Sequence, residues 1–257
     1  MKELVSVIIP VSEPNLSPTQ ERILHHSLEI LEKYPVIFIT YEGADLSIIR
    51  DHKEKIDVIY FPKEYFETRQ TLAKLFLMED FYDRFSWSDF LLVHELNSWV
   101  VKDELHYWCK QGYDYLKAAP VAKNGSDKLE ISAFSRIIGL NEVNKKALGQ
   151  GFENNGLYLC HIKSTIKTLK AKNKTAYRYR HDDNLVNRDA IFWEIEANRF
   201  SHNLRKPSEI VRNYFSRPFE NLDSKNSAPV KTLPFTITNV NNTNIDNLIR
   251  LIGLGKN

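Results

Sequence analysis

The sequence predicts an α/β protein of the doubly wound kind, a mostly parallel sheet flanked by helices. Three observations carry that expectation. Four short runs, "LVSVIIP" (Leu4–Pro10), "PVIFITYEG" (Pro35–Gly43), "IDVIYFP" (Ile56–Pro62) and "DFLLVHEL" (Asp89–Leu96), are rich in consecutive β-branched and apolar residues. That is the pattern of strands buried on both faces. Segments with helical spacing alternate with them, giving a β-α-β-(α)-β-α-β order. The chain has 257 residues, enough for one such domain with a large core.

The elements follow in order. After the first strand, "SEPNLSPTQ" is loop, and Ser17-Pro18 has the form of an N-cap followed by proline at the first helical position. Arg22–Lys33 then repeats Ile23, Leu24, Leu28 and Leu31 on one helical face. Thr71–Phe85 reads as one helix with Leu72, Leu75, Phe76 and Met78 turned inward. The second half is more broken. Ala122–Ala147 holds a polar loop, "KNGSDKLE", and a helix-like stretch. "GQGFENNGLYLCHIKST" (Gly149–Thr165) reads as a loop entering a strand and then a helix, and Asp189–Arg199 as helical. "DSKNSAP" (Asp223–Pro229) is a mobile loop by composition, and the asparagine-rich tail ends weakly amphipathic. No internal repeat is present.

Composition narrows the function classes. Apolar content is 42%, charged content 26% and net charge +2, so no general affinity for nucleic acid is expected. The two cysteines, Cys109 and Cys160, stand in no metal or redox spacing and read as packed free thiols in a reducing compartment. "MKELVSVIIPV" is too short an apolar run for a signal peptide, and no stretch reaches the ~20 apolar residues of a membrane span. The expected location is the cytoplasm, with at most a peripheral contact to the inner face of a membrane. The segment for such a contact is "KSTIKTLKAKNKTAYRYR" (Lys163–Arg180), which holds seven Lys/Arg and no acid. Ile162, Ile166 and Leu169 share one helical face there, with Lys163, Lys167, Lys170 and Lys174 on the other. A solvated helix packed by its apolar stripe explains the same pattern.

In doubly wound sheets, ligands bind beyond the carboxyl ends of the strands. That rule names Pro10-Val11-Ser12, Thr40–Gly43, Phe61-Pro62 and His94–Ser98 as the candidate site.

Several ordered segments resemble a known family. They are "VIIPVSEPNLSPTQERILHHSLEILEKYPVIFITYEGADLS" (Val7–Ser47), "YFETRQTLAKLFLMEDFYDRF" (Tyr65–Phe85), "LLVHELNSWVVKDELHYWCKQGYDYLKAAP" (Leu91–Pro120), "NNGLYL" (Asn154–Leu159), "RDAIFW" (Arg188–Trp193) and "LPFTI" (Leu233–Ile237). Together the chain is similar to the bacterial glycosyltransferase-like family of domain of unknown function 5672. The resemblance implies a GT-A-like fold, with a nucleotide-sugar-binding half (1–120), an acceptor-binding half (121–240) and a tail (241–257). It implies sugar transfer from a nucleotide-sugar to a glycan or lipid-linked acceptor in surface polysaccharide assembly. By the same resemblance the donor would contact Pro10, Val11, Ser12, Glu42, Lys74, Glu95 and Asn97, and the acceptor Asn154, Asn155 and Gly156. Asp189 would be the catalytic carboxylate, with Asp182 and Asp183 as competitors and helix capping as its structural alternative.

The chain departs from the family pattern where a metal would be held. Asn97 stands in place of an aspartate, Asp189-Ala190 in place of a Glu-Asp pair, and Thr238 in place of a histidine. Mg²⁺ and Mn²⁺ favour anionic oxygen ligands, so no metal and no other cofactor is expected, with Glu95 the one carboxylate able to substitute. Basic residues would then meet the charge of the leaving nucleotide, Lys74 first, then Arg69 and Lys102. A second reading from another class is a catalytically silent relative that binds a nucleotide-sugar or a partner subunit. The two differ in whether Glu95 faces an open crevice or Trp99 fills it.

Overall fold

Each of the four apolar runs forms a strand. In the computed structural model, residues 2–12, 16–47, 56–118, 156–201, 204–222 and 233–254 are described. β1 (Glu3–Pro10), β2 (Val36–Thr40), β3 (Ile56–Tyr60) and β4 (Ser88–His94) are joined by β6 (Tyr115–Lys117) and β7 (Leu157–His161) in one sheet. Its order is β3-β2-β1-β4-β7-β6. β1 pairs in parallel with β2 and β4, and β2 with β3; β7 runs antiparallel to both β4 and β6. The chain builds outward from β1 through β2 to β3 and then returns to place β4 on the other side of β1. This reversal leaves the carboxyl ends of β1 and β4 uncovered by any crossover, where a crevice is expected.

Two apolar layers sandwich the sheet. On one face, α1 (Pro18–Ile30) packs Ile23 and Leu24 against Val7, Ile9 and Phe38. Its start is a full capping box, with the Ser17 hydroxyl and the Gln20 side chain each accepting from the other's backbone N–H, and Pro18 in the first turn. On the other face lie α2 (Arg69–Leu75), α3 (Glu79–Asp83), α5 (Ile162–Ala171), α6 (Asn173–His181) and α7 (Arg188–Glu194). α4 (Leu105–Lys110) precedes β6 in the chain, and α8 (Glu209–Phe215) and α9 (Ile245–Leu254) are the remaining α-helices among the described residues.

The expected single helix over Thr71–Phe85 is two helices, broken at Phe76–Met78. On one continuous helix, Phe76, Leu77, Phe81, Tyr82 and Phe85 would spread over about two thirds of the circumference. With the break all five are buried. The Tyr82 hydroxyl donates to the Phe76 carbonyl left free there. The helix expected over Asp189–Arg199 likewise shortens to α7 and a 3₁₀ turn at Glu196–Asn198. The basic segment divides at Lys172 into α5 and α6.

A second sheet gave no sequence signal. β5 (Trp99–Val100), β8 (Ser216–Pro218) and β9 (Thr236–Thr238) pair in the order β5-β9-β8. Strands of two or three residues are too short to display a period. Their effect is local: β9 returns the chain beside the end of β4, where the Val240 N–H donates to the Asn97 carbonyl at 2.9 Å. The expectations for Ala122–Ala147, Asp223–Pro229, Asn154 and Asn155, and the boundary at residue 120, lie outside the described residues.

Cys109 and Cys160 are free and buried, and burial pushes both thiols up to about 12. At pH 8 the native protein should therefore resist iodoacetamide at both positions, and both should label once urea unfolds it. Native labelling of either, read by mass spectrometry, would contradict this packing.

Candidate functional site

The crevice at the reversal point has a volume of about 500 Å³. Pro10, Val11 and Ser12 leave β1 into it, Tyr41 follows β2, and Glu95, Leu96 and Asn97 follow β4. Gln20 on α1, and Lys63, Phe66 and Arg69 between β3 and the start of α2, close the remaining side. Tyr41 and Phe66 have ring centroids 6.0 Å apart, and the Lys63 ammonium lies 5.2 Å from the Tyr41 ring. One wall is thus aromatic with a cation on it.

The opposite wall is ionic. Thr68 caps α2 through a reciprocal pair with Thr71, which starts the helix at Arg69 and aims that side chain along the sheet edge. Arg69 Nε lies 2.9 Å from Glu95 Oε2, and its Nη2 lies 2.9 Å from Asp189 Oδ2. Asp189 is 2% exposed, in the first turn of α7; the N-cap is Asn187, held in the left-handed region at φ 51°. The Asn187 side chain makes no capping bond, and the Ala190 N–H helps hold the Asp189 carboxyl low, so the helix-capping alternative for Asp189 stands beside its ion pair with Arg69. Gln70, next to Arg69, accepts from the Asn187 N–H through its side-chain oxygen, so α2 grips the start of α7 twice.

Lys117 joins this cluster from the end of β6 and is 3% exposed. Its register places it beside Tyr158, which pairs in turn with Val93. Four formal charges, two of each sign, thus meet in a buried region. Burial pushes the Asp189 carboxyl up, but Arg69 and then Lys117 outweigh it and hold the group below the ordinary carboxylate range. For Glu95 burial wins over Arg69, and its carboxyl is raised. Burial lowers the Lys117 ammonium, with Asp189 opposing.

Three atoms of the cluster, Arg69 Nη1, Glu95 Oε1 and Asp189 Oδ1, are buried without a hydrogen-bond partner. Buried polar atoms are nearly always paired, so one donor and two acceptors left open together mark a place for a polar ligand. A hydroxyl, which both donates and accepts, matches that set.

The floor is tight. The Glu95 N–H donates to the Gly156 carbonyl at 2.6 Å. A Cβ on Gly156 would lie 2.0 Å from Asn97 Oδ1 and 2.7 Å from Glu95 Cβ. Asn97 Oδ1 accepts from the Ser98 hydroxyl at 3.2 Å. The Thr238 hydroxyl is buried with no partner. Among the described residues no group of three or more His, Cys, Asp or Glu could hold a metal ion.

The structure thus brings together Pro10, Val11, Ser12, Glu95 and Asn97, with Asp189 behind Glu95 and Gly156 beneath Asn97. Lys74 stands elsewhere: it points away from the crevice to Asp183, 3.6 Å distant and 88% exposed. The cations lining the crevice are Lys63 and Arg69, the latter five residues before Lys74 and so on a different side of α2. Lys102 pairs with Glu104 at 2.7 Å, and Glu42 is exposed in the turn after β2, outside the lining. Trp99 stacks on His26 with ring centroids 4.0 Å apart and leaves the crevice open. His94 is fully buried between the Ser27 hydroxyl and the Glu95 carbonyl, and burial pushes it down to about 4. Lys117 escaped the sequence reading; its only signal is a lone lysine ending an apolar strand.

The family model described as "Protein of unknown function (DUF5672)" matches residues 55–236. The match begins after β1 and β2, so it covers Arg69, Glu95, Asn97, Lys117 and Asp189 but not the Pro10–Ser12 wall. No curated protein matches the chain in sequence. Among solved structures, the galactosyltransferase LgtC in complex with donor and acceptor sugar analogues is similar, with a TM-score of 0.55 and 10% identity over 97% of this chain and 95% of that one. An active-site mutant of LgtC gives a TM-score of 0.51 and 10% identity over 91% and 86% of the two chains. At such identity the likeness is one of fold: a GT-A-like domain with a mostly parallel central sheet.

Replacing Arg69 with methionine should cost about 3–5 kcal/mol of stability, because Glu95 and Asp189 would remain buried without their shared counter-charge. The sign of its pH dependence follows from the two carboxyls. Asp189, held low, contributes stability that is present above its unfolded value and lost as pH falls through the folded one. Glu95, held high, contributes stability that is present below its unfolded value and lost as pH rises through the folded one. Without Arg69 both carboxyls rise, so the deficit of Arg69→Met should be largest at neutral pH and shrink toward pH 4. Urea unfolding across that range measures it, and a pH-independent deficit would exclude the charge explanation.

Proposed function

The chain belongs to the DUF5672 family, and we propose that it is a glycosyltransferase. It moves a sugar from a nucleotide-sugar to a glycan or lipid-linked acceptor, of the kind used in surface polysaccharide assembly, without a divalent metal ion. The observation that carries this reading is the Arg69–Glu95 pair on the lining of a crevice in a GT-A-like sheet, each with a buried unpaired atom, and backed by Asp189.

The two walls divide the donor. A nucleobase suits Tyr41 and Phe66, where a flat π-face and the Lys63 cation are both at hand. The sugar suits the ionic wall, where the Arg69 and Glu95 side chains line the crevice; sugar hydroxyls that displaced part of their ion pair would meet a donor on Arg69 and an acceptor on Glu95, with Asp189 directly behind. Between the walls, the diphosphate would cross the ends of β1 and β4. As the bond from sugar to phosphate breaks, negative charge grows on the leaving oxygen and positive charge on the sugar ring. Arg69 and Lys63 are the crevice cations that can meet the first. Asp189, anionic throughout the neutral range, suits the second; the same charge state would serve if it took the proton of the acceptor hydroxyl.

A divalent ion fits this donor set poorly. The positions that would hold it supply a neutral amide already bonded to Ser98, a buried neutral hydroxyl on Thr238, and the carboxylates of Glu95 and Asp189, both engaged by Arg69. Hard cations need several anionic oxygens at once. The reading therefore assigns compensation to the chain's own cations. That the crevice is open, with Trp99 packed on His26, favours a transferase over a silent binding relative.

The test is a thermal-shift screen against UDP-, GDP-, dTDP- and CMP-sugars, each with Mn²⁺ and with EDTA. One nucleotide should stabilise the protein equally in EDTA, by about 2.7 kcal/mol at a hundredfold excess over its Kd. Asp189→Asn should then lower hydrolysis or transfer of that donor by at least about 100-fold. No stabilisation by any of them, or stabilisation only with Mn²⁺, would overturn the proposal in its first or its metal-free part.

A further inference from the structure

The basic segment 162–181 has no role in the crevice, and its placement gives it one of its own. α5 and α6 bury Ile162, Thr165, Thr168, Leu169, Ala176 and Tyr179 toward the core. Lys163, Lys167, Lys170, Lys174 and Arg178 are exposed. Lys163, Lys167 and Lys170 follow each other at four- and three-residue steps, one stripe along α5. Lys174 and Arg178 repeat the four-residue step on α6. Of these five, only Lys170 has an ion-pair partner among the described residues, Glu79 at 3.1 Å.

An exposed apolar residue stands at the corner where α5 meets α6. Phe200 is 75% exposed and sits in the left-handed backbone region at φ 65°, which side chains with a Cβ rarely adopt. Lys172, at the corner between α5 and α6, fixes it there. Its ammonium donates to the Arg199 carbonyl at 2.6 Å and lies 5.7 Å from the Phe200 ring, while the Arg199 guanidinium lies 4.7 Å from the same ring. A chain that merely needed to solvate this loop would not hold its largest apolar side chain outward on a strained residue. Tyr177, 54% exposed on α6, is a second aromatic on the basic surface.

We propose that the basic surface of α5 and α6, carrying Lys163, Lys167, Lys174 and Arg178 and with Phe200 at the corner between the two helices, docks the protein peripherally on an anionic lipid bilayer. The lysines would lie at the phosphate level and the Phe200 ring in the interfacial layer. A lysine near an anionic surface and an aromatic ring at the interface are both favourable, and neither needs a pocket. No helix among the described residues is long and apolar enough to cross a membrane, so the contact is a surface one. A nucleic acid would be drawn to the same lysines and could stack a base on Phe200, but the near-balanced net charge of +2 argues against a general nucleic-acid surface.

The inference is independent of the crevice, and its test leaves the crevice untouched. The full chain is sedimented with vesicles of phosphatidylcholine alone and of phosphatidylcholine with phosphatidylglycerol, in low and high salt. Binding should require phosphatidylglycerol and fall with salt. Reversing three charges together, Lys163→Glu, Lys167→Glu and Lys174→Glu, should weaken it by at least about 100-fold. Phe200→Ser should weaken it by about tenfold with less change in salt dependence. Unaltered melting temperatures would show that both variants fold. Absence of binding to phosphatidylglycerol vesicles, or binding that survives the triple reversal, would overturn the proposal. Binding to a single-stranded RNA oligomer but not to vesicles would overturn it in favour of a nucleic-acid face.

Discussion

The site depends on one buried guanidinium. Arg69 lies between Glu95 and Asp189, and through them it ties the start of α2 to the end of β4 and to the first turn of α7. Removing ionised groups from water is costly, and the arrangement persists only because each charge has an opposite neighbour. The ion pairs use one oxygen of each carboxylate and two of the three guanidinium nitrogens. The remaining atoms, Arg69 Nη1, Glu95 Oε1 and Asp189 Oδ1, have no hydrogen-bond partner. The contact that stabilises the wall is also what leaves it open to a ligand. Lys117 completes the balance from the far strand, so the cluster is neutral by formal charge while presenting separate donors and acceptors.

This balance bears on how a leaving diphosphate could be accommodated. A metal-dependent site concentrates positive charge on one ion. Here the positive charge is distributed over Arg69 and Lys63, on elements fixed by the Thr68–Thr71 cap and by the Tyr41 and Phe66 wall. Guanidinium geometry suits this, because its N–H groups can hold two carboxylates and still leave a donor for a third partner. In the proposed metal-free reading Asn97 shapes the floor of the crevice instead of binding an ion. Its side chain lies within contact of Gly156, where any larger residue would collide with it.

Much of the scaffold was legible in the sequence because parallel strands need long apolar runs and their ends are marked by Pro, Gly and polar residues. The end of β1 at Pro10 was placed from that alone, while the fourth run was read to Leu96, two residues past the end of β4 at His94. The site cation was harder. The helix was read from Thr71, where its apolar periodicity begins, whereas the Thr68 cap starts it at Arg69. That shift puts Arg69 at the sheet edge and sends Lys74 outward to Asp183. Lys117 belongs to a three-residue strand and has no motif around it. The β5-β9-β8 sheet has strands too short for any periodic pattern. Side-chain partnerships of this kind are set by tertiary packing and leave little trace in local sequence.

The central claim is that Arg69, and not a metal, supplies the positive charge at the sugar end of the crevice. The most direct test is calorimetric titration, in EDTA, of the stabilising nucleotide-sugar and of its free nucleotide into the native protein and into Arg69→Lys. Lysine keeps the charge but loses the fork that holds two carboxylates and a third partner. The account predicts that the intact donor binds the native protein without metal and loses at least about tenfold in affinity with Arg69→Lys, while the free nucleotide loses far less. Equal loss for both, or donor binding that appears only when Mn²⁺ is restored, would contradict it.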